Sequence, residues 1–91
     1  MKFIYPAVFH REEDGTYTGY FPDLEDCAVR GETLEDAVDD AHDAAEAWLA
    51  VELEEDVPLP LISDHKDIPV REGDEIRNIC ITVRFYEGWD E

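Results

Sequence analysis

The sequence predicts an α+β domain, a four-stranded mixed sheet in the order βββαβ with one long helix on one face. Three observations carry that prediction. Short runs rich in aromatic and β-branched residues occupy 2–10, 16–21 and 27–31. An apolar stripe of helical period follows between Leu34 and Leu53, and a final alternating run covers 76–86. With 91 residues, no internal repeat and no linker-like stretch, the chain reads as a single domain over 1–91.

The first strand, KFIYPAVFH, is apolar on both alternating sets: Phe3, Tyr5, Ala7 and Phe9 on one side, Ile4, Pro6 and Val8 on the other. One helix covers one face, so the second face needs another cover, and in so short a chain a second chain is the expected one. Pro6 cannot donate to a ladder, so a central first strand must place it where no donor is needed. Residues 11–15 turn, with Asp14-Gly15 as the hairpin signal, into a second strand at 16–21. Pro22 then stops regular pairing, and FPDLEDC leads to a short third strand at 27–31.

The helix announces itself at both ends. Thr33 is a suitable N-cap with Asp36 at the capping-box position, and Glu35 and Asp36 sit where the helix dipole favours acids. Leu34, Ala37, Val38, Ala41, Ala45, Trp48, Leu49 and Leu53 form one apolar stripe opposite Asp39, Asp40, Asp43 and Glu46. The end is expected near Asp56, because Val57-Pro58 cannot continue a helix. Residues 57–74 carry three prolines and read as an ordered surface loop. In the last strand Ile79, Ile81, Val83 and Phe85 face one way, and Cys80, Thr82, Arg84 and Tyr86 the other. A helix between the third and fourth strands implies a right-handed crossover.

Charge bounds the partners. The chain has 25 Asp+Glu against 7 Lys+Arg, a formal net charge of −18. Such a field repels nucleic acid and anionic membranes and attracts basic proteins. Adaptation to high salt, which screens self-repulsion, accounts for the total charge better than a specific partner does, and Lys2 and Lys66 are the only lysines. The two readings are compatible. Cys27 and Cys80 lack CxxC spacing and read as free, buried thiols of a reducing cytosol. No signal-peptide pattern and no 18-residue apolar stretch occurs, so a cytoplasmic protein is expected.

Several of these segments together resemble the HicB antitoxin family. The likeness runs through Tyr5-Pro6-Ala7-Val8-Phe9, Glu13-Asp14-Gly15, Tyr17, Phe21-Pro22-Asp23-Leu24 and Cys27. It continues with Gly31, Thr33, Glu35, Asp36, Ala37, the Ala41/Ala45 ladder, Trp48-Leu49 and Pro58-Leu59-Pro60, about two thirds of the chain. Two departures stand out: Asp26 where the family commonly has Gly, and Leu61 where it commonly has Ser. The resemblance implies a degraded RNase H-like fold. It also implies a partner, a small basic HicA-type toxin that cleaves mRNA with a histidine. Many HicB proteins add a C-terminal DNA-binding segment. The sequence stops at Glu91, so protein contacts and no direct DNA contact are expected.

No catalytic constellation emerges. A two-metal nuclease needs converging carboxylates, and the strand interiors offer Phe, Tyr and Ala instead. His42 has Asp39, Asp43 and Glu46 at helical spacing, but among 25 acids such neighbours arise by chance, and a solvated face is the better account. His10 and His65 lack a ligand partner at metal spacing. No enzyme, cofactor or metal site is therefore expected. The segment with most functional content is FPDLEDC. Pro22 and Cys27 read as structural, while Tyr20 and Leu24 are candidate anchors for a partner and Asp23, Glu25 and Asp26 candidate contacts to its basic groups. The leading expectation is an antitoxin that binds and silences a HicA-type toxin. The alternative is a solitary adaptor or ligand-binding domain of the same fold, forming a homo-oligomer (dimer or tetramer). A metal-dependent nuclease ranks last.

Overall fold

Local signals build the elements. In the computed structural model, which describes residues 2–55 and 58–83, β1 (Lys2–Arg11) turns through Gly15 into β2 (Tyr17–Tyr20). Gly15 has φ of 92°, a left-handed conformation that glycine adopts without strain. Asp14 Oδ1 accepts from the Thr16 amide at 3.0 Å and from its hydroxyl at 2.6 Å, tying the turn. After the 21–27 loop come β3 (Ala28–Gly31) and the helix α1 (Leu34–Glu54). Thr33 caps α1 as expected, its hydroxyl accepting from the Asp36 amide at 3.1 Å. A short 3-10 turn, His65–Asp67, precedes β4 (Glu75–Thr82). Asp56, Val57, Arg84, Phe85 and Tyr86, on which the sequence reading placed the helix end and the close of the last strand, lie outside the described residues.

The strand order is β3-β2-β1-β4. The α+β class and the βββαβ order agree with the sequence, but one detail is corrected. Every pairing is antiparallel, so the sheet is not mixed. The crossover rule governs parallel strands and does not apply here. The physical reason is the long return after α1, which carries the chain across the sheet before β4 begins and reverses its direction. β1 is central, and Pro6 is accommodated as required: pairing with β2 runs only from Val8↔Tyr20 to Arg11↔Tyr17, so at Pro6 the strand is paired on one side only.

The core lies between the sheet and α1. Tyr5, Ala7 and Phe9 of β1, Val29 of β3, and Ile79, Ile81 and Val83 pack against Ala37, Ala41, Ala45 and Leu49. The alanine seam brings backbone close to backbone. A Cβ on Gly31 would lie 2.3 Å from the Ala37 amide nitrogen, so this glycine marks the contact of β3 with the first turn of α1.

The second face departs from expectation. Pro6 and Val8 point away from α1 yet are buried. Their cover is the chain's own segment 63–74, which crosses that face. Ile68 is buried, His65 Nε2 bonds Asn78 Oδ1 at 2.8 Å, and His10 Nδ1 pairs with Asp74 Oδ1 at 2.6 Å. The stretch read as a surface loop is therefore in part a second core layer. It covers the middle of the face and leaves Ile4 49% and Tyr20 44% exposed at its two ends.

Candidate binding surface

The 21–27 loop is a compact turn knotted by its own backbone. Phe21 N donates to Cys27 O, Leu24 N to Phe21 O and Cys27 N to Leu24 O, each at 3.2 Å. Asp26 has φ of 61°, in the left-handed region. Glycine adopts that region without strain, and aspartate is among the side chains that tolerate it. Phe21, Leu24 and Cys27 point into the core. Burial, with the Asp40 carboxylate nearby, pushes the Cys27 thiol up from its ordinary range.

The loop is clasped from two directions. Trp48 Nε1 of α1 donates to the Glu25 carbonyl at 2.9 Å. Asp23 accepts from the Ser63 amide at 2.9 Å and from its hydroxyl at 2.5 Å. Beside this, the Tyr5 hydroxyl donates to Pro60 O at 2.7 Å. Burial, and secondly the Asp23 charge, raise the Tyr5 phenol, which keeps it a donor.

The five residues singled out in the sequence thus separate. Tyr20, Glu25 and Asp26 are exposed and available. Asp23 is half-buried and engaged with Ser63. Leu24 is corrected as a partner anchor: at 1% exposure it serves the core, because the loop curls it under Phe21 and Cys27. Sequence reading missed Leu61 and Ile62, 89% and 60% exposed between the Pro60 and Ser63 clasps. The available signal was the departure already noted, a leucine where serine is common.

On the second face a cavity of about 400 Å³ is lined by Val8, Thr18, Tyr20, Val70 and the His10–Asp74 pair. The Arg71 amide, with the His10 ring, holds the Asp74 carboxyl below its usual range. Among the described residues no group of three or more His, Cys, Asp or Glu is placed to hold a metal ion. His42 Nδ1 bonds its own helix at Val38 O, 3.0 Å. No described helix is long and apolar enough to cross a membrane.

A small α+β domain with an acidic, rigidly clasped loop and apolar side chains held in solvent is the framework of a binding protein. The family model for the HicB-like antitoxin of bacterial toxin–antitoxin systems matches residues 5–82, and the chain belongs to that family. Three solved structures share the fold. A chain of a toxin–antitoxin complex from Streptococcus pneumoniae is 24% identical with a TM-score of 0.80, over 90% of this chain and 70% of that one. A chain of the HicA3 and HicB3 toxin–antitoxin complex is 27% identical with a TM-score of 0.64, over 90% of this chain and 99% of the other. The N-terminal domain of the Burkholderia pseudomallei antitoxin HicB is 18% identical with a TM-score of 0.73, over 91% of this chain and all of that domain, 100%. No curated protein matches the chain.

Proposed function

We propose that this chain neutralises a small, basic, HicA-type mRNA-cleaving toxin in the cytoplasm, by binding and without catalysis of its own. The observation that carries the reading is the family match over residues 5–82, joined to a surface suited to a basic protein. The 21–27 loop presents Glu25 and Asp26 from a frame held by Trp48 and Ser63. A frame that does not need ordering on association lowers the entropic cost of binding. The acids steer a cationic partner and speed the encounter, and apolar anchors supply the affinity. With a net charge of −18, direct contact with nucleic acid is disfavoured.

Co-expression with a small basic reading frame found next to this chain's gene tests the proposal, and the lack of any such frame counts against it. The toxin is expected to arrest growth alone, to be silent with this chain, and to co-purify with it. Growth arrest that persists with both expressed, together with no complex on gel filtration, refutes it. A second reading, a homo-oligomeric adaptor of the same fold, draws on Ile4 and Tyr20 left exposed on the second sheet face. A chain that sediments as a monomer at both low and high salt sinks that reading.

A further inference from the structure

Leu61 and Ile62 stand in solvent at a place where the backbone is fixed. The two residues before them end at Pro60, whose carbonyl accepts from the buried Tyr5 at 2.7 Å. The residue after them is Ser63, held through amide and hydroxyl by Asp23. Three side-chain bonds therefore bracket a dipeptide that exposes 89% of a leucine and 60% of an isoleucine. Single exposed apolar residues are common on protein surfaces. Two adjacent large ones on a segment anchored at both ends are different, because ordering costs have already been met within the fold.

The surroundings select the partner. Asp64 and Asp67 follow the segment in the chain, and Glu25 and Asp26 come two and three residues after Asp23, the residue that bonds Ser63; all four are exposed. Lys66 is the one cation in 58–70. A second copy of this chain would bring the same acids against these. A basic protein with an apolar pocket rimmed by Lys or Arg meets complementary charge and a hydrophobic seat together, the usual anatomy of an anchor and its rim.

We infer that Leu61 and Ile62 form the apolar anchor by which this chain grips its basic protein partner, with Glu25, Asp26 and Asp64 as the steering rim. The inference rests on the antitoxin reading and names the surface that performs it. It also assigns a role to the Asp23–Ser63 bond: Asp23 positions the anchor without itself touching the partner.

The test uses the full chain and a recombinant small basic protein identified by its co-purification with it, with binding measured by calorimetry. The double variant Leu61→Ala/Ile62→Ala is expected to weaken binding at least about thirtyfold, as loss of an anchor does. Its thermal unfolding should match the wild type, because both side chains are exposed. Val70→Ala, which trims a half-exposed apolar residue on the second sheet face, should leave binding unchanged. Wild-type affinity that falls with added salt supports the acidic rim. Unchanged binding by the folded double variant overturns the inference while leaving the antitoxin reading intact. Absence of binding by the wild type overturns both. A wild-type dimer that the double variant converts to monomers assigns the dipeptide to self-association and overturns the inference as well.

Discussion

Replacing Gly31 with alanine is a one-carbon test of how β3 meets α1. The added Cβ would lie 2.3 Å from Ala37 N, 2.7 Å from Asp36 C and 2.8 Å from Ala37 Cα, where ordinary contact begins at 3.4 Å. These are backbone atoms of a capped first turn, so no rotamer change relieves the clash. The helix must retreat by about 1 Å, the gap between 2.3 and 3.4 Å, and the retreat opens the seam that Ala37, Ala41 and Ala45 close at 0% exposure. Overpacking of this kind costs about 1–3 kcal/mol, and the loosened seam puts the expected loss at the upper end, about 3 kcal/mol. A domain of this length has about 5–14 kcal/mol in all. At roughly 4–8 °C per kcal/mol, the melting temperature should fall by about 12–24 °C. Urea unfolding followed by circular dichroism measures the change directly. Gly15→Ala is the control: its Cβ would meet nothing within 4 Å, and only the positive φ of 92° opposes it. That variant should cost about 1 kcal/mol through the backbone alone. A Gly31→Ala loss below about 0.5 kcal/mol, or one equal to that of Gly15→Ala, would refute the close-contact account.

Four further outcomes follow from the same geometry. Asp26→Gly relieves a left-handed aspartate and removes one of the chain's 25 acids, so it should stabilise by about 0.5 kcal/mol, read as a higher urea midpoint. Trp48→Phe removes the bond to the Glu25 carbonyl and should destabilise by about 1 kcal/mol, with proteolysis rising within 21–27. Cys80, expected to be buried but exposed in the structure, should react with a thiol reagent in the native protein, while Cys27, buried with its thiol raised, reacts only on unfolding; two equally fast thiols would contradict the fold. Asp74 has a depressed carboxyl, chiefly through the Arg71 amide, so its stabilisation is present above the ordinary value of 3.8 and is lost as pH falls through the lower folded one. Asp74→Asn should therefore be less stable than wild type at neutral pH, and urea midpoints should converge as pH falls below the ordinary carboxylate range.

What the sequence disclosed tracks the range over which each signal acts. Thr33 bonds three residues ahead, and the stripe of α1 repeats within two turns, so cap and helix face were legible directly. The hairpin at Gly15 closes within five residues and was legible for the same reason. Gly31 could be noticed in the Gly-x-Thr spacing, but not explained, because its neighbour Ala37 is set by how helix and strand pack. The strand direction of β4 was misjudged because it depends on the path of 58–74. That path is fixed by Asp23–Ser63, Tyr5–Pro60 and His10–Asp74, partners 40, 55 and 64 residues apart. No local pattern encodes such pairs. The same distance hid which apolar side chains stay exposed. Leu24 and Leu61 are the same residue type, each within two residues after a proline, and nothing local tells them apart. Tertiary contact turns the first under the loop and holds the second out in water. A side chain held out in this way is an apolar residue for which the described chain provides no core, and it becomes recognisable only when the contacts on either side are known.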